Sequence, residues 1–107
     1  MLLHDPSSSA ADSPEDDSEA LTTLLGALDS PLRLRIISLL SERDYYVHEL
    51  VQELQKSQPL ISQHLRVLKK SQIVSFERRG RQVTYHLEHP EILKLIGDAR
   101  ELAHQIL

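Results

Sequence analysis

The chain has 107 residues, no cysteine, no tryptophan and a formal net charge of −4. That length accommodates one small domain, and the lack of cysteine excludes disulfides and thiolate chemistry. A net acidic balance would by itself argue against a nucleic-acid partner, but the charge is unevenly placed. Residues 1–19 hold six acids (Asp5, Asp12, Glu15, Asp16, Asp17, Glu19) and no Lys or Arg, which leaves the remainder at +2.

Residues 1–17 are rich in Ser, Asp, Glu and Pro with few large apolar side chains, so they cannot repay the entropy of ordering. A disordered acidic tail over 1–17 is expected, followed by a single domain over 18–107. Met1-Leu2-Leu3 is too short for a signal-peptide core or a membrane span, and no later apolar run reaches that length, so a cytoplasmic protein is expected.

From Ser18, Leu21, Leu24, Leu25 and Leu28 predict a helix that ends at Asp29-Ser30-Pro31, where Ser30 caps the next helix and Pro31 starts it. Leu32, Leu34, Ile36, Ile37, Leu39 and Leu40 make this second helix apolar nearly all round, as suits a central core helix. Arg33 and Arg35 fit its solvated ends. The segment Tyr46 to Leu54 forms a third helix with a stripe of Val47, Leu50, Val51 and Leu54.

Gln55 and Lys56 then leave only a tight turn before Ser57, an N-cap followed by Pro59 inside the first turn. Leu60, Ile61, Leu65 and Leu68 give the next helix one apolar face. The other face carries Gln58, Ser62, Gln63, Arg66, Lys69 and Lys70, with amides and hydroxyls early and cations late. Two short helices across such a turn make a helix-turn-helix. Short polar side chains in the first half of a recognition helix read base edges, while cations hold phosphates. An ordinary helical hairpin in an all-α core is the alternative.

Ile73 to Phe76 and Val83 to Leu87 alternate apolar and polar residues around a turn, Glu77 to Gln82, with Gly80 free to take positive φ. Arg78, Arg79 and Arg81 crowd that turn. Arginines at a hairpin tip can be merely solvated, but directly after a candidate recognition helix they suit phosphate or minor-groove contact. Residues 56–82 hold seven Lys or Arg against one Glu, so the positive charge sits where the motif is.

The last helix, Pro90 to about Ile106, carries Ile92, Leu95, Ile96, Ala99, Leu102, Ala103 and Ile106 along one side. A long apolar stripe on a terminal helix, matched by that of the first helix, suggests an interface between two copies, although it could pack within its own protomer. A two-fold dimer would set two recognition helices in successive major grooves, about one turn (~34 Å) apart, on an inverted repeat.

The segments LGALDSPLRLRIISLL, VHELVQELQKSQPLISQHLRVLKKSQIV and RRGRQVTYHL together resemble the ArsR/SmtB family of metal-responsive transcriptional repressors over roughly residues 20–107. The resemblance implies a mainly α fold with a small β-hairpin wing, a homodimeric winged helix-turn-helix, and repression of an operator relieved by an inducer. It makes Ser57, Gln58, Ser62, Gln63, His64, Arg66, Lys69, Arg78, Arg79 and Arg81 the candidate DNA-binding residues. His64 could instead transmit the inducer state or fill a helix boundary, and Arg33 and Arg35 have family precedent as conformational or DNA-proximal positions.

One family metal site uses cysteines where this chain has Tyr45 and Tyr46, which makes thiophilic metals poor inducers. The other lies on the last helices and is shared across the dimer. Here it would use His89, Glu91, Glu101 and His104, with Asp98 in reserve. The order of each pair is inverted relative to the family, and the late pair is displaced by one residue. Two imidazoles and two carboxylates suit Zn²⁺, with Co²⁺ or Ni²⁺ as alternatives. A repressor with a non-metal inducer or none, and a winged-helix module that binds protein, are the other readings. Catalysis finds no glycine-rich phosphate loop, no nucleophile constellation and no H-E-x-x-H motif.

Overall fold

The computed structural model describes residues 14–107. The described chain runs α1 (Pro14–Leu28), α2 (Pro31–Leu40), β1 (Tyr45–Tyr46), α3 (Val47–Leu54), α4 (Gln58–Lys70), β2 (Val74–Arg79), β3 (Gln82–Leu87) and α5 (Ile92–Ile106). This is a winged helix-turn-helix: α3 and α4 are the motif and β2–β3 the wing. No helix among the described residues is long and apolar enough to cross a membrane.

Helix α1 begins four residues before the expected Ser18. Proline followed by acids, as in Pro14-Glu15-Asp16-Asp17, is itself a helix-start signal, outweighed in the sequence reading by the polar composition around it. The rest of the expected tail, residues 1–13, lies outside the described residues.

Helix α2 starts where Ser30 and Pro31 predict, and the Ser30 hydroxyl accepts from the Arg33 backbone N–H at 3.1 Å. Its Ile36 and Ile37 are fully buried together with Leu50 of α3 and Ile61, Leu65 and Leu68 of α4. The core therefore sits between α2 and the helix-turn-helix, and Tyr45, Ile73, Val74, Leu87 and Ile92 close it.

Tyr46, expected to open α3, belongs instead to β1, which adds a third strand in the order β1-β3-β2. Tyr45 pairs with Tyr85 and Tyr46 with Thr84. A two-residue strand has too few positions to display an alternation, so only pairing with β3 reveals it. Helix α3 then starts at Val47, and its first turn is closed by the Glu49 carboxylate, which accepts from the Tyr46 N–H at 2.8 Å. That bond, with Arg43 alongside, holds Glu49 below the usual carboxylate range.

The turn into α4 contains no glycine because Gln55 itself takes the left-handed conformation (φ 54°). Ser57 caps α4, its Oγ accepting from the Leu60 N–H at 3.3 Å. The wing is longer than expected: pairing extends to Arg79 and Gln82, leaving only Gly80 (φ 65°) and Arg81 at the tip. Helix α5 begins at Ile92, two residues after the expected Pro90, because bonds from the Ile92, Leu93 and Lys94 N–H groups to residues three back form a tight turn there.

Candidate nucleic-acid interface

Helix α4 buries Ile61, Leu65 and Leu68 and leaves Gln58, Gln63, Arg66, Lys69 and Lys70 exposed. Gln63, Arg66 and Lys70 are spaced three and four apart and share the side opposite the core. Ser62 is half-buried at one flank of that side. Ser57 already holds the helix start with its oxygen lone pairs, leaving its hydroxyl proton free to donate.

His64 is placed differently. It lies half-buried on the other flank, where its Nδ1 is 3.0 Å from Nη1 of Arg33 on α2. Burial, and then the Arg33 charge, hold its imidazole below the usual range. Arg33, for which the sequence leaves both a solvated helix end and a conformational or DNA-proximal position open, is therefore tied to the recognition helix.

The wing is braced against α4 by aromatic contacts. Lys69 Nζ sits 4.5 Å from the centre of the Phe76 ring, which in turn lies 5.8 Å from Tyr85. Strand alternation puts Arg78 on the same hairpin face as Phe76, beside the C-terminal half of α4. Arg79 points to the other face, where its Nη2 is 3.1 Å from Glu77, and that carboxylate raises its pKa further. Among the described residues Arg78 and Arg81 form no ion pair.

Between wing tip and recognition helix lies a cleft of about 200 Å³ lined by Tyr46, Val47, His48, Gln58, Arg81, Gln82 and Val83. The Tyr46 and His48 rings stack in its wall, 5.6 Å apart and 9° from parallel. Gln58 and Arg81, separate candidates in the sequence, thus face one space. His48, Tyr46 and Gln82 join them there only because β1 pairs with β3, a contact without a sequence signature.

The metal candidates are not brought together within one chain. His89 Nδ1 lies 3.7 Å from Glu91 Oε2 at the start of α5, where both line a mostly apolar cleft of about 280 Å³ with Leu24, Ile73, Ile92 and Leu95. Glu101 and His104 are exposed about 15 Å further along the helix. Asp98 is engaged by Lys94 at 2.9 Å, and His86 pairs with Asp44 at 2.8 Å. Among the described residues no three His, Asp or Glu side chains cluster as a metal site would require. Leu95, Ala99, Leu102 and Ile106 make one exposed stripe on α5, and Glu101 and His104 lie about 130° and 170° around the helix from its centre.

The profile of the arsR family of bacterial regulatory proteins matches residues 30–75, which contain α2, the helix-turn-helix and the entry to the wing. The transcriptional repressor SmtB of Mycobacterium tuberculosis is 42% identical over 86 residues, covering 80% of this chain, which spans 64% of that relative's length. The biofilm growth-associated repressor of Xylella fastidiosa is 34% identical over 83 residues, covering 78% of this chain and 73% of its own. Among solved structures, HlyU from Vibrio cholerae superposes with a TM-score of 0.71 at 31% identity, covering 82% of this chain and 96% of its own.

Proposed function

Because the chain belongs to the ArsR/SmtB family of bacterial regulatory proteins, a family of transcriptional regulators and not of enzymes, we propose that it is a cytoplasmic transcriptional repressor that binds double-stranded operator DNA as a homodimer. The observation that carries this reading is the placement of the exposed Gln63–Arg66–Lys70 side of α4 beside a cleft where Gln58 meets Arg81 of the wing. In the major groove Gln63, with Gln58 and Ser62, reads base edges. Ser57, Arg66 and Lys69 hold backbone phosphates, and Arg78, Arg79 and Arg81 hold phosphate or enter the minor groove. Arg79 must first exchange Glu77 for DNA. The exposed apolar residues of α1 and α5 support pairing of two copies on an inverted repeat.

The expected metal set does not fit one ion. If the exposed stripe of α5 seats the partner, Glu101 and His104 turn away from it, so the four donors would not converge across the interface. His89 and Glu91 alone give one nitrogen and one oxygen beside apolar neighbours, short of the four donors of a tetrahedral site. No release step is therefore assigned to a metal at these residues, and induction falls to another ligand or to abundance.

Fluorescence anisotropy with promoter DNA tests both parts. Tight, salt-steep, sequence-selective binding is expected, altered less than about tenfold (~1.4 kcal/mol) by Zn²⁺, Co²⁺ or Ni²⁺. A larger weakening by one metal, abolished by His89→Ala with His104→Ala, would restore the metal-sensing reading. Binding no tighter to the operator than to random duplex would favour the protein-binding module.

A further inference from the structure

Arg33 stands between the end of α1 and the flank of α4. Its Nε donates to the Ala27 carbonyl at 2.7 Å and its Nη2 to the Gly26 carbonyl at 3.1 Å. Both acceptors lie in the last turn of α1, where carbonyls lack the usual donor four residues on, and the Gly26 carbonyl also accepts from the Asp29 N–H at 3.2 Å. The remaining arm, Nη1, lies 3.0 Å from His64 Nδ1. A guanidinium has only donors, so this contact requires a lone pair on Nδ1 and a neutral imidazole with its proton on Nε2.

We infer that Arg33 and His64 are positioning residues for DNA binding, one guanidinium clamping the recognition helix to the end of α1 while His64 is neutral and letting go when His64 is protonated. The inference rests on the repressor reading above. Helix α1 carries exposed Leu21 and Leu25, the surface offered to a second copy, so the clamp fixes the recognition helix relative to the dimer interface. Two helices that must enter grooves one turn apart tolerate little change in that angle.

Among the described residues no carboxylate makes a hydrogen bond or ion pair with His64, and the charge that acts on it is that of Arg33. Protonation therefore sets two cations face to face without an offsetting carboxylate.

The test joins two measurements on the full chain: the His64 titration by NMR in the free protein, and operator affinity at pH 7.5 and at a pH one unit below that titration for wild type, His64→Gln and His64→Leu. His64 is expected to titrate below the ordinary ~6.5 of imidazole, and to return towards it in Arg33→Gln. The glutamine variant keeps an uncharged acceptor for Arg33 at both pH values. Relative to it, wild-type affinity should fall by up to about three- to tenfold, the size of one hydrogen bond, as the pH drops below the titration measured for His64. The leucine variant should be weaker at both pH values with an unchanged salt slope, since no phosphate contact is lost.

Leucine and glutamine variants that both match wild type at the two pH values would overturn the clamp, as would a His64 titration indifferent to Arg33. If wild type binds no DNA while His64 still titrates low and depends on Arg33, the proton-sensitive contact stands, and the repressor reading falls together with the role of the contact in DNA binding.

Discussion

Gln63 and Glu49 are both polar and both near the helix-turn-helix, yet they do different work. Gln63 is exposed on the side of α4 opposite the core, where an amide can make a bidentate contact with adenine. Replacing it by Ala should lower discrimination between operator variants by about 1–3 kcal/mol, with little effect on non-specific binding. Competition binding checks this, and unchanged discrimination would remove Gln63 from base reading. Glu49 serves the fold, closing the start of α3 through the Tyr46 N–H with Arg43 3.2 Å away. Its carboxyl is held below the usual range, so its contribution to stability is full above the unfolded value of ~4.3 and is lost as pH falls through the folded value. Glu49→Ala should therefore cost about 0.5–1 kcal/mol near neutral pH, the size of a capping contact, and almost nothing near pH 2. Denaturant melts at the two pH values measure both numbers.

At the scale of elements, legibility followed the length of the pattern. Helix α4 has thirteen residues with a cap, a proline and an apolar stripe, and its start was readable from Ser57 and Pro59. Strand β1 has two residues, and its existence depends on Tyr85 and Thr84 forty positions away. The wing arginines were visible as a charge cluster, but the strand pairing that separates Arg78 from Arg79 became clear only once the register was known. Likewise no local pattern joins Arg33 to His64, because helix packing makes that contact. Neither helix of the motif ends on glycine, since Gln55 and Gln72 take the left-handed position instead. Helix α4 ends with the Gln72 N–H donating to Lys69 and the Ile73 N–H to Leu68, both at 3.0 Å, while Gln72 takes φ 64°. This is a Schellman turn with glutamine where glycine is favoured. Gln72→Gly should therefore stabilise the domain by about 1 kcal/mol, raising Tm by about 4–8 °C in a domain of this size. An unchanged or lower Tm would show that glycine's extra unfolded-state freedom offsets the relieved strain.

For the whole molecule, the two terminal helices carry apolar surface that the protomer does not use. Leu21 and Leu25 on α1 are 55% and 49% exposed, and Leu102 and Ile106 on α5 are 54% and 68% exposed. Scattered exposed apolar residues are ordinary, but four at helical spacing on the two terminal helices make one face on each. Burying them between two copies would also turn operator binding from a single-site event into a bivalent one. The second half-site then binds at an effective concentration set by the dimer geometry, and affinity can exceed that of one half-site by about 10²–10⁴-fold. Leu102→Glu places a charge in the centre of the proposed interface without touching the core, the recognition helix or the wing, so the protomer should stay folded. Sedimentation should then show a dimer for wild type and a monomer for the variant. Operator affinity should fall by about two orders of magnitude or more, and the salt slope should drop to about half because one protomer neutralises half the phosphates. The paired readings separate causes: a monomer with halved slope has lost only its partner, whereas a monomer with an unchanged slope would mean that a single protomer already makes every DNA contact, and the two-fold operator would have to be abandoned.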